Sequence, residues 1–83
     1  MDEWIDSYRH ELAGDKWGDV DPERVLELAR VVAHGTERRN APLATFMAGR
    51  YVASQEARGR DAGEGLEQAI ALADRLLAGG EAS

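Results

Sequence analysis

The stretch from Asp21 to Gly35, "DPERVLELARVVAHG", constrains this chain more than any other. Asp21 has the side chain of a helix N-cap, and Pro22 stands at the first helical position, where its missing N–H costs nothing. Gly35 is the residue type that closes a helix in the left-handed conformation. At about 100° per residue, Val25, Leu28, Ala29 and Val32 share one face, and Leu26 and Ala33 widen it. Glu27, Arg30 and His34 fall opposite, so His34 lies on the polar side. A helix over 22–34 with one apolar face needs other helices to cover it.

Three further segments carry the same period. The first helix is expected over 3–13, with Asp2 as its cap, Glu3 and Asp6 at its positive end and Gly14 as its stop. Trp4, Tyr8 and Leu12 recur at i, i+4 and i+8 with Ile5 beside them, which predicts a core-facing stripe. In the following turn Trp17 is expected to cover the end of the core, because its large surface is worth burying.

The third helix is expected over 41–58, starting at Ala41 and Pro42 after an Asn40 cap. Leu43, Phe46, Met47 and Tyr51 form its stripe, but Arg50 and Ser54 project in the same direction. A guanidinium there reaches past the stripe to water, pairs with a carboxylate of another helix, or receives an anion. The fourth helix is expected over 62–78. Asp61 and Glu64 form its capping arrangement, its stripe is Leu66, Ala69, Ile70, Ala73, Leu76 and Leu77, and Gly79 and Gly80 end it.

No strand alternation, internal repeat or low-complexity run interrupts this pattern. The fold class expected is all-α: an antiparallel four-helix bundle or a compact orthogonal variant, in a single domain of 83 residues. A domain this small hides only about 60% of its unfolded surface, so its apolar stripes are needed for stability. Without cysteine it has neither disulfides nor thiolate chemistry to rely on. Val31 and Leu72 fall off their helices' main stripes and mark a possible second packing face, the candidate surface for self-association into a homodimer.

Charge narrows the function classes. Residues 1–27 hold nine acids and three bases, residues 28–60 two acids and six bases, and residues 61–83 five acids and one base. The acidic total argues against a duplex nucleic acid as partner, because phosphate affinity comes from clustered Lys and Arg. No apolar run approaches the roughly 18 residues of a membrane span, and the acidic start is unlike a secretory signal. The expectation is a cytoplasmic protein with no membrane partner.

Chemistry is sparse. His10 and His34 are the only histidines, and the lone His34–Glu37 spacing is interrupted by Gly35, so no metal site is expected. Ser7, Ser54 and Ser83 lack a nucleophile context, Lys16 sits in a polar turn, and Gly63 and Gly65 do not continue into a dinucleotide motif. Catalysis through His34 has no second positioned group, so neither an enzyme nor a cofactor is expected.

What remains is the corner "AHGTERRNAPLATF". Arg38 and Arg39 directly precede the free N–H groups of the third helix, and Arg30 and His34 lie one turn apart on the second. Together with Asn40 they form a candidate site for an anion, a nucleotide or a partner protein. The alternative is wholly structural: cations favour a helix C-terminus, Gly35 stops one helix, and Asn40 with Pro42 starts the next.

The run "VLELARVVAHGTERRNAPLATFMAG", with "DEWIDSYRHEL" before it, resembles a small domain of high-GC Gram-positive bacteria. Its signature is an A-H-G turn, a following arginine, and A-P-L leading into a helix. Ala33, His34, Gly35, Arg39, Ala41, Pro42 and Leu43 match that signature; Arg50 departs from it, where an apolar residue is expected. The resemblance carries over no established activity. It implies an accessory or interaction role, with a link to molybdenum-cofactor guanylyltransferase, the enzyme that makes molybdopterin guanine dinucleotide.

Overall fold

The structure, a computed structural model, describes residues 3–13 and 20–82. The roles expected of Asp2, Gly14 and Trp17 fall outside these residues. Four helices account for nearly all of what is described: α1 (Glu3–Ala13), α2 (Pro22–Gly35), α3 (Asn40–Ala57) and α4 (Ala62–Ala82). No strand occurs among the described residues, and the chain is an all-α helical bundle.

The packed centre is made by α2, α3 and α4. Arg24 near the start of α2 meets Glu67 near the start of α4, and Gly35 at the end of α2 meets Leu77 late in α4, so these two helices run parallel. Tyr51 bonds Gln68, while Val52 and Gln55 lie against Gly65, so α3 runs antiparallel to α4 and fills the space between. The core is Leu28, Val32, Ala48, Val52, Leu66 and Ile70, closed at one end by Ala62. Leu28 is its most enclosed member, with 2% of its surface exposed.

Small residues on α3 set this core. Ala48 and Val52 face inward with Gln55, whereas Leu43, Phe46, Met47 and Tyr51, the expected stripe, are exposed. A middle helix touching two neighbours needs short side chains at the contact. Gly65 supplies the matching flat surface on α4, where a Cβ would stand 3.6 Å from the Val52 backbone. Gln55, 6% exposed, accepts a 2.6 Å hydrogen bond from Arg60 Nη1, so its burial leaves no carbonyl unpaired.

The ends of α2 and α4 differ from expectation. Gly35 does not close α2 in a left-handed conformation; the cap is Thr36, whose N–H and hydroxyl both donate to Val32 O, at 2.9 and 2.7 Å. Gly35 instead lies against Leu77: a Cβ there would stand 2.6 and 2.7 Å from its two methyl carbons, which would have to move aside. The left-handed glycine is Gly59, with φ 81°, which ends α3 in a Schellman arrangement: Arg60 N donates to Gln55 O and Gly59 N to Glu56 O. Gly79 and Gly80 lie within α4, since neither adopts the positive φ that would turn the chain.

α1 stands apart. No Cα of α1 lies within 8 Å of a Cα of α2, α3 or α4. Its expected core stripe is correspondingly uncovered: Trp4 is 67% and Leu12 69% exposed, with Tyr8 half open. The Trp4 and Tyr8 rings stack on each other, centroids 5.0 Å apart at 14°. The chain's radius of gyration is 13.6 Å, against about 12 Å for a compact domain of this length.

Candidate functional site

Two surfaces are candidates, the α2–α3 corner and a groove between α3 and α4. The corner is held by short polar contacts. Asn40 donates through Nδ2 to Thr36 Oγ1 at 3.1 Å, and its N–H donates to Glu37 O at 2.9 Å. Asn40 is therefore the first residue of α3 and not its cap; Arg39 takes the cap position and provides no side-chain hydrogen bond there. The amide fastens the turn from inside because the Thr36 hydroxyl already reaches back to α2.

The corner's charged residues are not drawn into one cluster. Arg30 is occupied: its Nε and Nη2 donate to both Glu27 carboxylate oxygens, at 2.9 and 2.6 Å. That contact holds the Glu27 carboxyl below its ordinary 4.5 and raises the Arg30 guanidinium, with Asp74 of α4 adding to the latter. The side chains of His34, Arg38 and Arg39 are exposed, with no hydrogen bond or ion pair to another described residue. They can present charge to a partner.

The groove is built differently. Met47 and Tyr51 of α3 form one wall, and Leu72 and Leu76 of α4 form the other. Leu28 and Val32 reach its floor from α2, and the open groove holds about 440 Å³. Met47 is 63% exposed. At one end the Tyr51 hydroxyl donates to Gln68 Oε1 at 2.6 Å, the polar latch of an otherwise apolar trough. Of the two residues expected to form a self-association face, Leu72 lines this groove, whereas Val31 is half-buried on α2 and is not among its lining.

Arg50 and Ser54 give the signal for the groove in the sequence. An apolar stripe that also carries a guanidinium and a hydroxyl faces outward, and the core face is then the row of smaller residues beside it. Weighting residues by size selects Leu43, Phe46 and Met47; weighting by polar intrusion selects Ala48 and Val52.

No group of three or more His, Asp or Glu side chains able to hold a metal occurs among the described residues. No helix among them is long and apolar enough to cross a membrane. The arrangement offers an apolar trough for a side-chain ridge and a separate cationic corner, and neither brings a nucleophile to a base. No curated protein and no solved structure is significantly similar to the chain. A family model does match, over residues 1–83, and by it the chain belongs to the family described as Domain of unknown function (DUF6457).

Proposed function

We propose that this domain is a non-enzymatic protein-interaction module that takes an amphipathic helix into the α3–α4 groove. The observation that carries this reading is the groove itself: Met47, Tyr51, Leu72 and Leu76 lie open along two adjacent helices over a floor of core residues. A trough between two helices is the receptor half of helix-in-groove recognition, in which anchors at i, i+4 and i+8 fill successive positions. An exposed apolar patch of this kind marks an interaction surface more often than a random surface does.

The test is a methyl NMR titration of the chain with a helix-stabilised peptide bearing leucines at i, i+4 and i+8. Millimolar peptide should shift the Met47, Leu72 and Leu76 methyl signals and leave Leu26, exposed on α2 outside the groove, in place. Equal shifts at Leu26, or none at the groove methyls, would overturn the reading.

A second reading concerns the corner. His34, Arg38 and Arg39 are exposed and unpaired on a turn that Asn40 and Thr36 hold rigid, which favours an acidic partner surface or a small anion. Arg30, bound to Glu27, contributes only if that pair opens. The sequence resemblance supplies a setting: molybdenum-cofactor guanylyltransferase as partner, in a cytoplasmic pathway. Calorimetric titration of that enzyme with wild type and with an Arg38→Ala, Arg39→Ala double variant tests it. Binding lost in the variant supports the corner, and equal binding assigns the contact elsewhere.

A further inference from the structure

Two apolar surfaces of this chain are open at once, and they match. On α1, Trp4, Tyr8 and Leu12 recur at i, i+4 and i+8; on α4, Gln68, Leu72 and Leu76 do the same. At 1.5 Å per residue each row is about 12 Å long. The stacked Trp4 and Tyr8 rings form a ridge, and the space between α3 and α4 is the trough.

We infer that the groove's occupant is α1 of a second copy of this chain, each copy laying its first helix into the other's α3–α4 groove. This rests on the reading of the groove as a helix receptor and names the helix. The exchange is isologous, so one pair of surfaces closes a dimer and leaves no sticky end.

Area supports this occupant. The chain exposes 6330 Å², where a compact monomer of 9.1 kDa exposes about 4,900 Å². The difference, about 1,400 Å², exceeds the roughly 800 Å² that each partner gives to a standard interface. Reciprocal docking covers the α1 ridge and the groove together, and these hold most of the chain's exposed large apolar side chains.

Charge supports it too. Arg50 follows Met47 by three residues and Arg75 follows Leu72 by three, placing one guanidinium beside each wall. Neither has an ion-pair partner among the described residues. Glu3 and Glu11 run along one side of the α1 ridge and are likewise unpaired. Acids along one side of the ridge can meet the guanidinium of one wall, which fixes the direction of the docked helix more than its affinity. The pairing of Arg50 with a carboxylate of another helix, one of the three roles its place on the stripe allows, is then met between chains.

Sedimentation equilibrium of the full chain from micromolar to millimolar concentration tests the exchange. Wild type should approach twice 9.1 kDa. Trp4→Asp and Leu72→Asp should each sediment as monomers, and Leu26→Asp, an equally exposed change outside both surfaces, should remain dimeric. All three positions are open to solvent, and unchanged helical circular dichroism confirms that the variants fold. A wild-type chain at 9.1 kDa throughout overturns the exchange, as does a dimer that survives Trp4→Asp or is lost in Leu26→Asp. In those cases the groove itself still stands or falls by the peptide titration.

Discussion

Arg24 of α2 holds Glu67 of α4 by two hydrogen bonds, Nε to Oε2 at 2.7 Å and Nη2 to Oε1 at 2.8 Å. This pair sets the register of the two parallel helices at their N-terminal ends, as the Gly35–Leu77 contact does at the other. The guanidinium hydrogen bond holds the Glu67 carboxyl below its ordinary 4.5, and Glu27 is lowered in the same way by Arg30. A depressed carboxylate stabilises the fold above its unfolded value and loses that contribution as pH falls through the folded one. Thermal stability should therefore drop from about pH 4.5 downward. Glu67→Gln should show a smaller drop in the same pH series, and a small one in absolute terms because both groups are exposed.

The core predicts a contrast within α2. Leu28 is almost fully enclosed and Leu26, two residues earlier, is open. Leu28→Ala should cost about 2–5 kcal/mol by leaving a cavity, while Leu26→Ala should stay within about 0.5 kcal/mol. Urea midpoints of the two variants check this directly.

Gly49 lies inside α3, and a Cβ built there meets nothing within 4 Å. Gly49→Ala should raise stability by about 0.5–1 kcal/mol, since alanine loses less backbone entropy in a helix. Denaturant unfolding gives the sign. A loss would mean that the space beside Gly49 is occupied by something that packs on α3.

The corner separates structure from recognition. Asn40→Ala removes the bond to Thr36 and should cost about 0.5–1.5 kcal/mol. Arg38→Ala and Arg39→Ala remove exposed charges whose side chains have no partner among the described residues and should leave the melting temperature unchanged. If either arginine proves stabilising, the corner's charge serves the fold and the case for a partner there weakens.

The starts of α2 and α4 were legible in the sequence because an N-cap acts locally: Asp21 accepts from Glu23 N and Asp61 from Glu64 N, as their spacing predicts. The end of α2 was not, because Thr36 caps it with both its N–H and its hydroxyl, and Gly35 stays helical against Leu77, 42 residues away in the chain. Nor was the inward face of α3. Residue size favours Leu43, Phe46 and Met47, and only the closeness of α2 and α4 gives the core to Ala48 and Val52. The groove follows from that inversion: apolar side chains too large for the centre remain on the outside, beside Arg50.

In the exchanged dimer, Trp4 and Tyr8 of one copy lie in the groove of the other. The most direct measurement is an isotope-filtered NOE experiment on an equal mixture of ¹³C-methyl-labelled and unlabelled chains. Cross-peaks are expected from aromatic ring protons of the unlabelled copy to the Met47, Leu72 and Leu76 methyls of the labelled one. A filtered spectrum empty at those methyls would contradict it.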